Sequence, residues 1–538
     1  MKRFLAPRIF FAAFFFGVVM FAASYAWEPG PSYGGTVVTA SIAEPSNLIP
    51  FLASDTASHE VISKIYNGLL RYNPDLELEG DLAERWEVSS DGTEIAFILR
   101  RDVFWQDGER FTSKDVDFTF RALIDPATPT PYAGDFERVE RLETPDDYTV
   151  KVFYAEPFSP SLSSWTMPIV PAHLLEGEDL MRTRFSRDPV GTGPFRFRRW
   201  VSGERIELAA FETHFRGRPK IDRMVFRVIP DQTTMFLEVL QQSVDLAALT
   251  PLQYARQTRG GFFAKHFNKL RYSGMGYVYL ALNLTHPLFG DLRVRQALDF
   301  AIDRDELIEG VLLGQGTVST GPFAKGSWAY NPEVQASVFD PDRARQLLKE
   351  AGWSDLDGDG ILERDGKPFE FTITTNQGNE QRRQAAQIMQ RRLRDVGIRV
   401  RIKVIEWSVF LDVIDERRFD AVLLKWSLSL DPDPYDIWHS SKTAPGEFNF
   451  VSYANARVDE LIEAGRNTFD REARAAAYRE IHRIVHDEVP YLFLFESDAL
   501  LAMHRRFRNV RVSPLGIGYD LLDWEVPVDE RRYTRYAP

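Results

Sequence analysis

Short segments in the first half of the chain alternate between hydrophobic and other residues. Residues 36–40 form a β-rich stretch, and residues 95–99 and 148–154 carry Ile, Phe, Leu, Val or Tyr at every second position. A period of two places alternate side chains on opposite faces of a strand, so that one face is buried. The pattern therefore predicts three strands in this half of the chain.

Two further segments of the first half indicate helices. Residues 61–70 carry Val, Ile and Leu at helical spacing, which predicts a helix over these positions. Thr112 is followed three positions later by Asp115, and this pair resembles a capping box at the start of a helix that runs through Leu123.

The second half of the chain alternates between helices and strands. Residues 340–352 begin with Asp-Pro and end with Gly, which predicts a helix with proline at its first position. Residues 379–396 have apolar side chains at helical spacing and stop at a glycine, and residues 398–404 then alternate as a strand. Repeated helix and strand indicate α/β layers, and the change of character near residue 280 indicates at least two lobes.

The first 26 residues have the form of a cleavable secretory signal. Lys2, Arg3 and Arg8 precede an apolar run over residues 9–23, and Ser-Tyr-Ala ending at Ala26 supplies small residues at a cleavage site. The alternative is an uncleaved anchor helix, but the run of about 15 residues is shorter than the ~20 that span a membrane. No cysteine follows that could carry a lipid. We expect a protein that is exported to the periplasm and not lipidated.

Composition and charge exclude several classes of protein. The 538 residues include 65 Lys and Arg against 78 Asp and Glu, for a net charge of −13. Such an acidic chain repels the phosphate backbone, so we expect no nucleic-acid partner. The absence of cysteine excludes disulfides, thiolate catalysis and cysteine-ligated metal centres. The sequence also has no nucleophile elbow, phosphate-binding P-loop or dinucleotide fingerprint, so we predict a protein that is not an enzyme and needs no cofactor.

Two weak metal motifs remain. His482 and His486 have the spacing of two zinc ligands on a helix, but Arg483 stands where a zinc protease has its glutamate, so we predict a solvated helix face. Asp355, Asp357 and Asp359 match the first half of a calcium loop, although Gly366 replaces the bidentate glutamate of position 12. These three aspartates are a candidate calcium loop, and a polar turn is the alternative.

Several segments resemble one family in the family's order along nearly the whole chain. These segments are Asp81–Trp86, Asp91–Gly92, Phe97–Arg100, Val103–Gly108, Pro189–Phe195, Val294–Arg304 and Tyr453–Leu461. They resemble the family 5 extracellular solute-binding proteins, the peptide-, dipeptide- and nickel-type receptors of ABC importers.

The resemblance implies an α/β fold, a two-lobed periplasmic binding protein of the type II-like class, cluster C, with an extra third domain. Residues 1–26 would be the signal peptide. Domain I would be discontinuous and consist of residues 27–56, 185–278 and 497–538. Domain II would cover residues 57–184, and domain III residues 279–496.

The resemblance also implies a function. The protein would be a monomer that binds peptides in the cleft between the lobes, closes by a hinge movement, and delivers them to ABC permease subunits in the inner membrane. A receptor of the same fold for a nickel chelate, haem or an oligosaccharide is the first alternative. A secreted hydrolase is the second, and no motif in the sequence supports it.

The same resemblance implies the ligand-binding residues. Glu44 matches a segment that borders the ligand, Phe118 matches a ligand-facing aromatic, and Trp407 and Trp426 match two tryptophans that line the peptide cleft. For each tryptophan the alternative is a place in the hydrophobic core.

The chain departs from the family pattern after Trp426. Where many peptide receptors have an aspartate that pairs with the peptide ammonium group, this chain has Ser429, and Asp431 is the nearby candidate to replace it. Leu423 and Leu424 leave this segment without an arginine for a peptide carboxylate. A longer peptide, a capped peptide or a non-peptide ligand therefore stays open.

Overall fold

The structure, a computed structural model, describes residues 33–532 as a mixed α/β protein. Residues 1–26, with the predicted signal peptide, lie outside the described residues. The strands are β1 Thr36–Ser41, β2 Leu70–Tyr72, β3 Leu78–Gly80, β4 Ala83–Val88, β5 Glu94–Leu99, β6 Val139–Asp146, β7 Thr149–Tyr154, β8 Phe195–Val201, β9 Arg205–Ala210, β10 Arg223–Val228, β11 Leu246–Ala248, β12 Phe267–Ser273, β13 Gly276–Leu282, β14 Gly316–Val318, β15 Glu363–Arg364, β16 Lys367–Pro368, β17 Glu370–Asn376, β18 Arg399–Ile405, β19 Ala421–Ser427 and β20 Tyr491–His504.

Helices cover both halves of the chain, and none among the described residues is long and apolar enough to cross a membrane. They are α1 Thr56–Ile65, α2 Ser113–Ile124, α3 Ala133–Phe136, α4 Ala172–Leu175, α5 Gln232–Leu240, α6 Gly261–His266, α7 Leu292–Phe300, α8 Arg304–Leu312, α9 Pro341–Glu350, α10 Glu380–Asp395, α11 Trp407–Asp415, α12 Tyr435–Trp438, α13 Ala456–Arg466 and α14 Arg471–Glu488.

Local signals predicted the ends of several elements correctly. Thr112 and Asp115 form a reciprocal capping box at the start of α2, and Asn379 caps α10 by accepting the backbone N–H of Arg382. The helix predicted over residues 61–70 is shorter than expected, because α1 ends at Ile65 and β2 begins at Leu70. The Ile65 carbonyl accepts the N–H of Gly193 at 2.7 Å, so its hydrogen bond goes to another segment rather than to a continuing helix.

A twelve-stranded sheet runs through the predicted domains I and III. Its central strand, β20, pairs with β13 and β14 up to Ser497 and with β11 and β12 from Asp498 onwards. The strand therefore passes from one lobe to the other between Ser497 and Asp498. The chain also crosses between the lobes in the segment that joins β12 to β13. These two crossings connect the lobes.

The hydrophobic cores are divided in the same way as the lobes. Two cores draw only on residues 277–495, which is close to the predicted domain III. One large core combines residues of the predicted domains I and II, including the inner faces of the four-stranded sheet β4-β5-β7-β6. A further core packs α5 and α6 against β1, β10 and β11. The individual domain limits stay predictions.

His482 corrects one expectation. It lies in α14 with no exposed surface, so the predicted solvated face is wrong for this residue. Its Nδ1 accepts the N–H of Asn331 at 3.3 Å, and its Nε2 lies 3.0 Å from the Thr320 hydroxyl. Burial lowers the pKa of His482 to about 4. The loop around residues 320–331 packs over the helix, and its long separation in sequence hides this contact from local patterns.

Candidate functional site

A cavity of about 610 Å³ lies between residues 54–168 on one side and residues 382–450 on the other. This volume is in the range that proteins use to enclose small ligands. The lining residues from the first side include His59, Tyr72, Tyr132, Asp135, Phe136, Ser163 and Met167, and those from the second side include Arg382, Trp407, Asp415, Lys425, Trp426, Ser429, Asp431, Asp433, Asp436, Glu447 and Phe448.

Two tryptophans form an aromatic part of the wall. Trp407 is the first residue of α11, and Trp426 lies near the end of β19. The Trp426 ring stacks on Tyr279 with centroids 6.0 Å apart and meets Phe448 edge to face at 5.2 Å. Trp426 and Tyr279 occupy neighbouring strands, so the sheet itself supports this surface.

Arg382 and Lys425, called here the cation pair, lie in the same wall on different elements. Arg382 is in the first turn of α10, whereas Lys425 precedes Trp426 on β19. Burial lowers the pKa of Arg382 to about 10, and burial together with the nearby Arg382 lowers the pKa of Lys425. Both pKa values decrease because each site disfavours positive charge, so a negative charge placed here would be stabilised.

Four aspartates, called here the acidic cluster, form another part of the wall: Asp135, Asp431, Asp433 and Asp436. Most of their charge is balanced within the protein. Arg474 donates to both carboxylate oxygens of Asp431 at 3.2 and 3.3 Å.

Arg466 pairs with two other members of the acidic cluster, one from each lobe. This arginine is fully buried at the end of α13, where its Nε lies 3.0 Å from Asp433 and its Nη2 contacts Asp135. Burial alone would lower the pKa of Arg466, but Asp433 and Asp135 outweigh it and raise the pKa. Because Asp135 lines one side of the cavity and Arg466 lies in the part of the chain that forms the other, this ion pair connects the two sides.

Asp436 is the exception within the acidic cluster. Its Oδ1 is buried without a hydrogen-bond partner among the described residues. Burial raises the pKa of this carboxyl group well above its ordinary value, and the neighbouring Asp135 and Asp433 raise it further. A proton on Asp436 relieves the repulsion in the cluster.

Further contacts close the rim of the cavity. Arg138 pairs with Glu463 at 3.0 Å, and the Ser159 hydroxyl donates to the Gly465 carbonyl at 3.2 Å. The Tyr132 ring meets Phe448 edge to face, with centroids 5.6 Å apart. The two sides of the cavity are therefore in direct contact.

The structure brings together four of the six residues predicted to bind ligand. Trp407, Trp426, Ser429 and Asp431 all line the cavity. Asp431 already pairs with Arg474, and the Ser429 hydroxyl donates to the backbone carbonyl of Asp431 at 2.7 Å. Contact of these residues with a ligand stays a prediction.

Glu44 and Phe118 have other surroundings. The carboxylate of Glu44 accepts the N–H of Gly203 at 3.0 Å and the indole N–H of Trp200, and it is not part of the cavity wall. Phe118 is 7% exposed and packs in the large core. The structure thus gives both residues contacts within the protein.

No pattern in the sequence indicated Arg382, an arginine that the structure places in the cavity wall. It lies in a helix with many charged residues, and its neighbour Arg383 faces a different cleft. Only the rotation of the helix distinguishes the two arginines. The acids Asp135 and Asp436 were missed for a similar reason, since nothing in their local sequence indicates a shared cavity.

The structure places a fourth acidic residue beside the candidate calcium loop. Asp355, Asp357 and Asp359 cluster with Glu363, with carboxylate oxygens within 4.8 Å of one another. Oxygen ligands of this kind suit calcium. Arg399, however, pairs with Asp359 at 3.1 Å, and the N–H groups of Gly358 and Gly360 bond to Asp355. Calcium binding here stays a prediction.

A ligand-sized cavity between two lobes is the arrangement expected of a two-lobed binding protein. Comparison with known sequences agrees, since residues 77–448 match the model described as bacterial extracellular solute-binding proteins, family 5 Middle. The chain belongs to this family. The family and the relatives named below are binding proteins.

Two relatives illustrate the similarity. The oligopeptide-binding protein AppA of Bacillus subtilis (strain 168) is 32% identical over 507 residues, which are 92% of each sequence. Its solved structure in complex with a nonapeptide gives a TM-score of 0.88 at 30% identity over 92% of this chain and all of that chain. The structure of NikZ from Campylobacter jejuni in complex with Ni(L-His) gives 0.84 at 27% identity, over 91% of this chain and 99% of that chain.

Proposed function

We propose that the protein is the substrate-binding component of an ABC importer and that it binds peptides in the cavity between its lobes. The observation that carries this proposal is the cavity itself, which is enclosed by two lobes and has an aromatic wall beside charged groups. Such a wall suits a peptide, because apolar surfaces accommodate varied side chains while charged groups hold the ends or the backbone. Relatives that are an oligopeptide-binding protein and a dipeptide-binding protein support the same function.

Hinge closure is the proposed mechanism. A peptide in contact with both lobes gains contacts only in the closed form, so binding shifts the population toward closure. The strand β20 and the segment between β12 and β13 are the two connections that would bend. The closed receptor would then dock on permease subunits in the inner membrane.

Export to the periplasm is part of the same proposal. If the signal peptide is cleaved after Ala26, the N-terminal sequence of protein recovered from the periplasm begins at Trp27. Recovery of the intact N-terminus in the membrane fraction would instead support an anchor.

The test uses protein that has been unfolded, washed and refolded to remove bound molecules. A random-sequence peptide library is then added, binding is followed by calorimetry, and closure is followed by small-angle scattering. We expect saturable binding and a decrease in the radius of gyration. The absence of both with every peptide pool would contradict the proposal.

A further inference from the structure

One side of the sheet in the predicted domain I carries several arginines. Arg196 of β8 and Arg223 of β10 both lie opposite Ala209 of β9. Arg199 of β8 lies opposite Glu207, two positions earlier on β9. Directly paired residues of neighbouring strands point to the same side of a sheet, as do alternate residues of one strand. The register therefore places these three arginines on the same side.

A bulge in β8 adds a fourth arginine. The pairing of β8 with β9 shifts between Phe197 and Arg199, so Arg198 is the extra residue of the bulged strand. Arg198 and Arg199 are both exposed, whereas Arg196 and Arg223 are partly exposed. These four arginines are called here the basic face.

The two sides of these three strands have different surroundings. The other side packs in the large core through Ile206, Leu208 and Met224. On the side of the basic face, residues of α5 and α6 share a core with Val38 and Val225, on β1 and β10. Because β8 is the last strand at this end of the sheet, the basic face lies beyond the part that these helices cover.

The charge of the basic face is not balanced within the protein. None of its four arginines forms an ion pair or a side-chain hydrogen bond in the part of the chain that the structure describes. The neighbouring acids contact other arginines, since Glu207 pairs with Arg205 at 2.5 Å and Asp222 pairs with Arg218 at 2.6 Å. The Nε of Arg196 is buried without a hydrogen-bond partner among these residues.

The charge of the whole chain limits what can approach this face. The protein has a net charge of −13, so an anionic surface is repelled by most of the molecule. At about 0.1 M salt, charges interact over only about 10 Å, so a surface that meets the basic face is little affected by the acids farther away.

The shape of the basic face indicates the kind of partner. Its arginines are spread over a surface three strands wide, with neighbouring strands about 4.8 Å apart, so each guanidinium group can contact a different anionic group. Many anionic groups in one plane are what the headgroups of an anionic membrane provide.

We propose that the basic face binds the headgroup surface of an anionic membrane. Each guanidinium group offers parallel N–H donors that match a phosphate, and each arginine close to such a surface adds to the attraction. The inference goes beyond the proposed function, because none of the four arginines lines the cavity between the lobes. Membrane contact keeps the protein where its proposed permease partners lie.

Lipid vesicles test the proposal. The exported protein is sedimented, at about 0.1 M salt, with vesicles of phosphatidylcholine alone or of phosphatidylcholine mixed with phosphatidylglycerol. We expect more binding to the anionic vesicles than to the neutral ones. This excess should be lost at about 1 M salt, where the Debye length is only about 3 Å. Equal binding to both kinds of vesicle would contradict the proposal.

Variants connect the binding to the basic face. The double variant Arg198→Gln/Arg199→Gln should weaken binding to the anionic vesicles about 10-fold to 30-fold, because two cationic contacts are lost. The matched control is Arg457→Gln/Arg483→Gln, which removes the same charge from two exposed arginines that pair with acids. The control should bind like wild type. Equal losses in both double variants would show a response to net charge alone and would contradict the basic face.

An acidic protein segment is the other partner with the required charge, and poly-glutamate serves as its probe. A preference for anionic vesicles that Arg198→Gln/Arg199→Gln removes supports the membrane. Saturable binding of poly-glutamate that the same variant removes, without a preference for anionic vesicles, would overturn the proposal and assign the face to an acidic polypeptide.

Discussion

The acidic cluster and the cation pair line the same cavity but differ in how their charge is balanced. Asp431, Asp433 and Asp135 each contact a buried or nearly buried arginine that comes from outside the cavity wall. Arg382 and Lys425 have only a neutral amide and occupied acids around them. Most charges of the cluster are therefore balanced within the protein, whereas the cation pair has no carboxylate partner among the described residues.

This difference separates charges that are balanced within the protein from charges that are not. A buried ion pair that loses one partner leaves the other uncompensated, so removal of a balanced charge is costly. Removal of an unbalanced charge costs little stability, because it also removes the penalty of burying that charge. Stability without ligand and affinity for ligand should consequently respond to different residues.

The largest effect is expected from Arg466→Gln. The substitution leaves Asp433, which pairs with Arg466 inside the same lobe, without a counterion, so we expect the free energy of unfolding to decrease by about 3–5 kcal/mol. Urea unfolding of the refolded, ligand-free protein measures it. Arg457→Gln is the matched control on the same helix, where the exposed pairs with Glu460 and Glu480 contribute about 0.2–1 kcal/mol. Equal effects of both substitutions would contradict a structural role for Arg466.

A smaller effect is expected from Asp431→Asn. Loss of the charged hydrogen bonds to Arg474 should decrease the free energy of unfolding by about 1.5–3 kcal/mol. Peptide affinity, measured by calorimetry, should stay the same. Asp487→Asn is the control, since its exposed pair with Arg483 lies on the same helix as Arg474. A large loss of affinity instead would identify Asp431 as the anchor for a peptide ammonium group.

Asp436→Asn should increase stability and change its dependence on pH. The folded-state pKa of Asp436 is raised, so the folded protein binds the proton more tightly than the unfolded chain. Its contribution is therefore present at low pH and is lost as the pH rises through the folded-state pKa. We expect a gain on the order of 1 kcal/mol at pH 8 and less at pH 5. Melting curves at both pH values test this, with the exposed Asp75→Asn as control.

The smallest effect on stability is expected from Arg382→Gln in the ligand-free protein. Because no carboxylate balances this charge, the free energy of unfolding should stay within about 0.5 kcal/mol of wild type or increase. The same urea experiment that detects the loss at Arg466 measures it. A decrease as large as that of Arg466→Gln would show that Arg382 is structural and would remove the contrast.

Helices and strands that have local signals in the sequence were predicted well. The cap at Asn379 and the stop at Gly397 define α10, and the alternation after it defines β18, because both patterns depend only on neighbouring residues. The tryptophans at 407 and 426 were also found, through the family resemblance. Both line the cavity.

Charge balance could not be predicted in the same way. Whether Arg382 faces the cavity depends on the rotation of α10 against the sheet, and whether Asp431 is available depends on Arg474, 43 residues away. The buried place of His482 likewise depends on a loop about 150 residues earlier in the chain. These contacts arise from tertiary packing, which no local pattern records.

The most direct test is native mass spectrometry of the protein purified from the cells that make it. Denaturation then releases the bound molecules for identification. The expected result is a mixture of peptides, seen as an increase in mass over the protein alone. A single bound compound that is not a peptide would contradict the proposed function.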